Sequence, residues 1–488
     1  MKRIILLIAG FIAIANANAQ NVGIGTITPA EKLDVNGHIK TTGELKPNGA
    51  AGQAGQVLTS NGNGTMQWSS AASAGSSNYS NIGGYGSWGG CEMNNISDFF
   101  PVADSAGISN DGFASAVAIS GDYAIVGNSS SESGVLEAGS AVIYKRNPGT
   151  GIWEKQVRLS KPFPAQYDHF GISVAINDNY AVVGVPYDDV AGLTNNGAIY
   201  IYKRDAATGI WSFMVKIFGQ SSQTGDLFGR SVAISGDYIV VGAPSDNEAG
   251  HSGTGSVSVY KRNAGIDAWD YLQKLTDPVP VNNESFGYSV SISGDQLIVG
   301  AVYDSEPNNN GNFTSNGSAT LFKRNVSTGI WQSTVSFSGN SDNEQFGYSV
   351  SISGNNALVS AINGDNISCP DCGAVMFLSR NAAGTWVQGF RTGNGGTSDT
   401  NFGASVSVSG DYAIIGDNLS NSNEGKAWLY KKLNNMWVLL QKFSSPYPST
   451  GPYPGFGSAV GIDGITKRFL VGAPGMNFLG MAFFGKVN

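Results

Sequence analysis

An all-β fold, a seven-bladed β-propeller behind a small N-terminal β-rich extension, is predicted by three observations. A Phe-led unit starts seven times, at Phe113, Phe170, Phe228, Phe286, Phe346, Phe402 and Phe456. Each unit holds four strand-like runs. The last unit stops after three, and a spare strand-like run precedes the first. The spacings of 57, 58, 58, 60, 56 and 54 residues mark one supersecondary unit repeated. Units begin near 111, 168, 226, 284, 344, 400 and 454.

The first strand is typified by Ser231-Val232-Ala233-Ile234-Ser235, and Gly236-Asp237 follows as a tight hairpin signal. Tyr238-Ile239-Val240-Val241-Gly242 is the second strand, and Ser256–Arg262 the third. A Trp opens the fourth: Trp153, Trp211, Trp269, Trp331, Trp386 and Trp437. Strands one and two are apolar on both faces, as expected of sheets covered on each side by a neighbour. Small residues crowd strand one, where converging strands leave no room for bulk. Four-stranded antiparallel sheets set around an axis satisfy these demands. An open β-solenoid is the competing arrangement.

In the seventh unit the strands fall near 458–462, 468–472 and 481–487. An exposed strand edge leaves backbone groups unpaired. Residues 88–100, which include Trp88, are therefore expected to pair onto the outer edge of the last blade, giving a ring over 88–488.

The N-terminus sets the expected compartment. Lys2 and Arg3 precede an apolar stretch, Ile4 to Ile14, and Ala17-Asn18-Ala19 has the small-x-small pattern of a cleavage site. Residues 1–19 read as a secretory signal, which puts the mature chain outside a bacterial cell, secreted or at the surface. No segment approaches a membrane span of about 20 apolar residues. Residues 20–70 hold short runs (Asn21–Thr26, Lys32–Gly37, Gln56–Ser60) between Gly and Asn turns. They resemble N-terminal modules of secreted bacterial surface and tail-fibre-like proteins. With few large apolar side chains they make a poor core alone, so either a self-associating stalk or a loose spacer is expected. Residues 71–87 read as a linker.

Composition excludes some partners. The formal charge is −8, and −10 once Lys2 and Arg3 are removed, so nothing here would neutralise a nucleic-acid backbone. Cysteine is scarce: Cys91, Cys369 and Cys372. Cys369-Pro-Asp-Cys372 has the spacing of a redox dithiol, a zinc half-site or a small oxidised loop staple. A redox pair would sit at a helix N-terminus, and zinc needs four ligands. The staple is the expected state, which leaves Cys91 over. No cofactor is expected.

The Phe-Gly starts and the Val-Gly-Ala-Pro ends of strand two (Val241–Pro244, Val471–Pro474) resemble the FG-GAP repeat family, known from integrin α-subunit propellers. The resemblance spans residues 111–488 and implies the propeller; it is weak for function. Integrin-type blades hold calcium in an Asp-rich loop between strands one and two. Here that loop is a Ser-Gly-Asp turn, too short to surround a cation wanting six to eight oxygens.

Acidic residues recur elsewhere. Asp188, Asp246 and Asp304 lie four positions after the strand-two Gly, beside Asp189, Asn247, Tyr187 and Tyr303. Either they form a calcium site or an acidic rim for a partner, or they are solvated carboxylates capping turns. The connections between strands two and three, and four and one, are long and variable, and meander topology puts both sets on one face. Binding usually resides on such loops. With no convergent His, Cys or carboxylate cluster, the expectation is a non-catalytic binding or adhesion protein. It would recognise an extracellular protein or glycan through this face. A carbohydrate-active enzyme and a structural surface component are the alternatives.

Overall fold

In a computed structural model the described residues are 22–24, 33–35, 56–60, 66–70, 96–103, 112–131, 135–220, 222–248, 250–305, 315–365, 371–393, 401–419, 424–446, 454–476 and 480–488. The chain divides into two units, Met1–Asn78 and Tyr79–Asn488. In the first, Val22–Ile24 pairs parallel with Leu33–Val35, and Gln56–Ser60 pairs antiparallel with Met66–Ser70. The last of these strands escaped the sequence reading. The expected signal segment lies outside the described residues. Among those described there is no α-helix, and no helix long and apolar enough to cross a membrane.

The second unit is a ring of seven four-stranded antiparallel sheets, each in meander order. Blade 2 illustrates the pattern: Ser173–Ile176, Tyr180–Val185, Ala198–Arg204 and Trp211–Ile217, from the axis outward. Second strands are buried along nearly their whole length, whereas the fourth strands start with a buried Trp and are then mostly exposed or half-buried. The core therefore lies between blades. Seven apolar clusters fill seven interfaces, and each draws on two neighbouring sheets. Ile125 and Ile143 of blade 1, for example, meet Val183 and Trp211 of blade 2.

In blades 1 to 6 the fourth-strand Trp reaches across to the preceding blade. Trp211 meets Tyr123 edge-on at 5.8 Å, and Arg204 lies 4.9 Å over the same ring. Trp269 and Arg262 repeat this on Tyr180, and Trp331 and Arg324 on Tyr238. A cation over a ring adds to the burial of both partners. The strand-three Arg is thus as much a part of the repeat as the Trp.

Both motif glycines have a packing reason. Gly287 after Phe286 has φ +89°, and a Cβ on Gly242 of the preceding blade would fall 2.0 Å from the Gly287 carbonyl oxygen. Neighbouring backbones come this close only because both residues lack side chains. Ser231 Oγ donates to the same oxygen at 2.7 Å. The same arrangement joins Ser173, Gly184 and Gly229.

The ring closes as expected, with a shifted boundary. Ile96–Val102 pairs antiparallel with Met481–Val487 as the fourth strand of blade 7. Ile96 opposes Val487, the register at which Trp211 opposes Arg204 in blade 2. The buried Ile96 therefore takes the Trp position of the other blades, and residues 88–95 of the expected strand, Trp88 among them, lie outside the described residues. Phe484 stacks on Trp153 at 4.3 Å and so locks the last blade to the first.

Candidate functional site

The meander fixes which loops share a face. Turns joining strands one to two and three to four lie at one end of every sheet, and the long connections lie at the other. Phe residues at the start of strand one bridge the glycine that ends the preceding blade's long loop, as in Gly197 with Phe228 and Gly255 with Phe286. The long-loop face is stitched from blade to blade.

Three predicted residues are not at the surface of that face. Asp188, Asp246 and Asp304 are buried, with 0, 5 and 2% exposure. Asp188 accepts from Lys161 Nζ at 2.7 Å and from the Tyr200 hydroxyl at 3.0 Å, and pairs with Lys216 Nζ at 2.8 Å. Lys161 also meets Asp168 at 2.9 Å. Asp246 pairs with Lys274 at 2.6 Å and accepts from Ser256 Oγ at 2.6 Å. The expectation of an acidic rim or solvated turn caps is thereby corrected, because turn and strand wrap each carboxylate into the interface. At Asp188 and Asp246 an ammonium supplies the charge that a calcium reading would require. Among the described residues no group of three or more His, Cys, Asp or Glu side chains could hold a metal.

The electrostatics follow from burial. Burial works against the Lys161 charge, but hydrogen bonds to Asp188 and Asp168 outweigh it and raise the pKa. Asp168 is raised by desolvation despite bonds from Ala165 and Lys161. Asp226, 3% exposed, is pushed up to about 6 by burial, opposed by a bond from the Gln223 amide.

The neighbours of these aspartates do face outward. Asp189 is exposed and accepts from Asn195 N at 2.8 Å; Asn247 is exposed and accepts from Gly253 N at 2.8 Å. Tyr303 is 45% exposed. Tyr187 is half-buried, edge-on to His169 at 5.2 Å. Phe163, 86% exposed, Tyr167 and Val279 also project from the long loops. Phe163 and Val279 went unread because lone apolar residues in loops carry no periodic signal. The opposite face carries exposed Ile152, Ile210, Ile266 and Ile330 at its short turns. Cys372 is buried and disulfide-bonded. Its partner, and thus the expected Cys369 pairing, lies outside the described residues, as does Cys91.

The axis holds a cavity of about 340 Å³, lined by three residues from each innermost strand. The position two after the motif Phe lies where strand one leaves the long loop, so it forms the mouth on that face. It is occupied by Ser115, Ile172, Arg230, Tyr288, Tyr348, Ala404 and Ser458. Blades 3, 4 and 5 thus project large polar side chains, while the others carry smaller ones. Arg230 lies 4.5 Å over the Tyr288 ring, and Tyr288 and Tyr348 are 5.4 Å apart. Burial, with the charge and hydrogen bond of the neighbouring Tyr288, pushes the Tyr348 phenol up to about 12, against the opposing charge of Arg230.

Residues 153–202, 211–260, 269–322 and 332–375 match the family described as FG-GAP repeat. Each match runs from the outer strand of one blade to the third strand of the next, out of phase with the structural blade. No curated protein matches the chain. Among solved structures, a protein from Lactobacillus plantarum is similar at 11% identity and TM-score 0.43, over 70% of this chain and 94% of its own. A protein from Bacteroides uniformis described as "a putative 6-phosphogluconolactonase" is similar at 12% identity and TM-score 0.42, over 68% of this chain and 84% of its own. Likenesses this distant carry no chemistry across.

Proposed function

Since this chain carries FG-GAP repeats and folds as a seven-bladed propeller, we propose that it is an exported, non-catalytic binding protein. It recognises an extracellular protein or glycan through the long-loop face. The observation that carries this reading is the division of labour within those loops. Buried Asp188 and Asp246, tied to lysines, hold the loops to the frame, and the residues beside them, with Phe163, Tyr167 and Tyr303, are turned to solvent. Exposed aromatic side chains on a rigid frame give contact area at little entropic cost. Export rests on the leader-like residues 1–19. Asp168, Asp188 and Asp246 are engaged in charge balance, which favours binding over acid–base chemistry.

The test is glycan-array and pull-down capture with the mature chain, repeated with Phe163, Tyr167 and Tyr303 all changed to Ala. Loss of capture with an unchanged melting temperature supports the reading; undiminished capture refutes it. One observation favours an enzyme instead: burial raises the Asp226 carboxyl to about 6, above the ordinary carboxylate range and in the direction a general acid needs. Turnover of a captured glycan, abolished by Asp226→Asn, would establish that alternative.

A further inference from the structure

We propose that Arg230, Tyr288 and Tyr348 form a receptor at the mouth of the axial channel for the carboxylate of a small sugar acid. The site lies on the face assigned above to binding, and it rests on that reading only for its location.

The Arg230 guanidinium has no carboxylate partner among the described residues. Arg230 is half-buried, its guanidinium lies over the face of Tyr288, and it is close enough to Tyr348 to act on that phenol. Elsewhere in the ring Arg262 meets Asp237 and Asp267, Arg391 meets Glu344 and Arg468 meets Asp122, while Arg204 and Arg380 bond backbone and amide oxygens. Arg324 also lies over a tyrosine ring, but it does not line the axial cavity. A guanidinium carries five donors in a planar fork that fits a carboxylate with two parallel bonds. Stacking on Tyr288 holds the plane of that fork and leaves its edge for a ligand.

Charge and size narrow the ligand. Arg230 is the sole charged residue among the 21 that line the cavity. In a chain of formal charge −8 a single cation suits a monoanion better than a doubly charged phosphate. About 340 Å³ is near the lower end for small-ligand pockets, so one ring enters and a protein face does not. Tyr288 and Tyr348 supply flat apolar faces beside the fork. The Tyr348 phenol is hydrogen-bonded with Tyr288, which holds the two rings together beside the fork. A carboxylate on a ring that can lie against a tyrosine satisfies all of these groups together. The asymmetry is the second independent sign. Seven repeats could have placed seven similar residues at the mouth, yet the three large polar ones are adjacent, on blades 3, 4 and 5.

The experiment titrates the mature full-length chain with D-glucuronate, with D-glucose as the neutral twin, and with inorganic phosphate, followed by calorimetry and tyrosine fluorescence. The expected result is saturable glucuronate binding that exceeds that of glucose and of phosphate at least tenfold and weakens with added salt. Arg230→Gln should lose at least tenfold, Arg230→Lys should keep part of the affinity, and Tyr348→Phe should lose severalfold, all at unchanged melting temperature. Glucose or phosphate binding as well as glucuronate, no glucuronate binding by the wild type, or Arg230→Gln at wild-type affinity would each overturn the assignment. The broader reading is judged separately. Capture on arrays that survives Arg230→Gln but not the loop-aromatic variant leaves the face assigned and removes only the mouth.

Discussion

Deleting Ile96–Val102 should cost the ring most of its stability, because this strand is separated from its partner by the whole length of the propeller. Its removal exposes the outer edge of Met481–Val487, which it meets at five paired positions from Ala482↔Val102 to Val487↔Ile96. Phe99 packs on Phe443 and Phe483 at 5.6 Å, on Phe469 at 6.1 Å and on Phe456 at 6.4 Å, while Phe100 stacks on Phe484 at 6.0 Å. At about 1.5–3 kcal/mol per buried side chain, Ile96, Phe99 and Phe100 contribute roughly 6 kcal/mol, before about 1 kcal/mol for each lost backbone bond. That sum approaches the entire stability of an ordinary domain, about 5–15 kcal/mol. The deletion is therefore expected to populate unfolded or aggregated chains at room temperature.

A single substitution gives a graded version. Phe99→Ala, half-buried, should cost about 3 kcal/mol, at the low end for such truncations. The unit of Tyr79–Asn488 has 488 − 79 + 1 = 410 residues, for which an unfolding entropy near 2.1 cal/mol/K per residue converts this to about 3–4 °C. Calorimetry of the mature chain measures it. Phe390→Ala, on an exposed outer strand, is the control and should cost less than half as much. Equal shifts for the two variants, or a deletion that melts with the wild type, would refute closure by this strand.

Three further outcomes follow from the interfaces. Lys161→Met strands Asp168 and deprives the fully buried Asp188 of one of its two lysines, so denaturant unfolding should show a loss of about 3 kcal/mol. Asp226 holds a proton up to about pH 6 when folded but only to its ordinary value near 3.8 when unfolded. The unfolded state thus binds fewer protons between those values, and stability falls as pH rises through that window, by about 3 kcal/mol at 1.36 kcal/mol per pH unit. Asp226→Asn should remove this decline and be the more stable form at pH 7.5; parallel curves for the two proteins would refute the assignment. Gly242→Ala drives a methyl into the Gly287 carbonyl oxygen, a backbone atom that cannot step aside, and should cost about 3 kcal/mol by overpacking. Thermal melts that place this variant beside the wild type would show the glycine pair to be unnecessary.

Reversing the charge of Asp188, Asp246 and Asp304 would not report on ligand binding, although the chain alone invites that experiment. Their side chains lie inside the interfaces, and such a variant would fail by unfolding first. Useful probes of the face are the residues beside them, Asp189, Asn247 and Tyr303, with Phe163 and Tyr167.

Sequence by itself determined the number of blades, the four-strand order, the placement of long and short connections on opposite faces, and the presence of a closing strand. Each is a property of one repeat or of the count of repeats, written in local alternation and turn chemistry. Tertiary structure decided what meets across a blade interface, between residues tens of positions apart in the chain. It paired Gly242 with Gly287 and Trp211 with Tyr123, put Ile96 in the Trp position of the closing strand, enclosed Asp188 and Asp246 with their lysines, buried Asp304, and gathered Arg230, Tyr288 and Tyr348 at one mouth. The physical reason is that strand periodicity tells only that a side chain leaves the sheet on one face or the other. Whether it then meets water, a carboxylate or another ring depends on the neighbouring blade, whose position is set by closing seven twisted sheets around one axis.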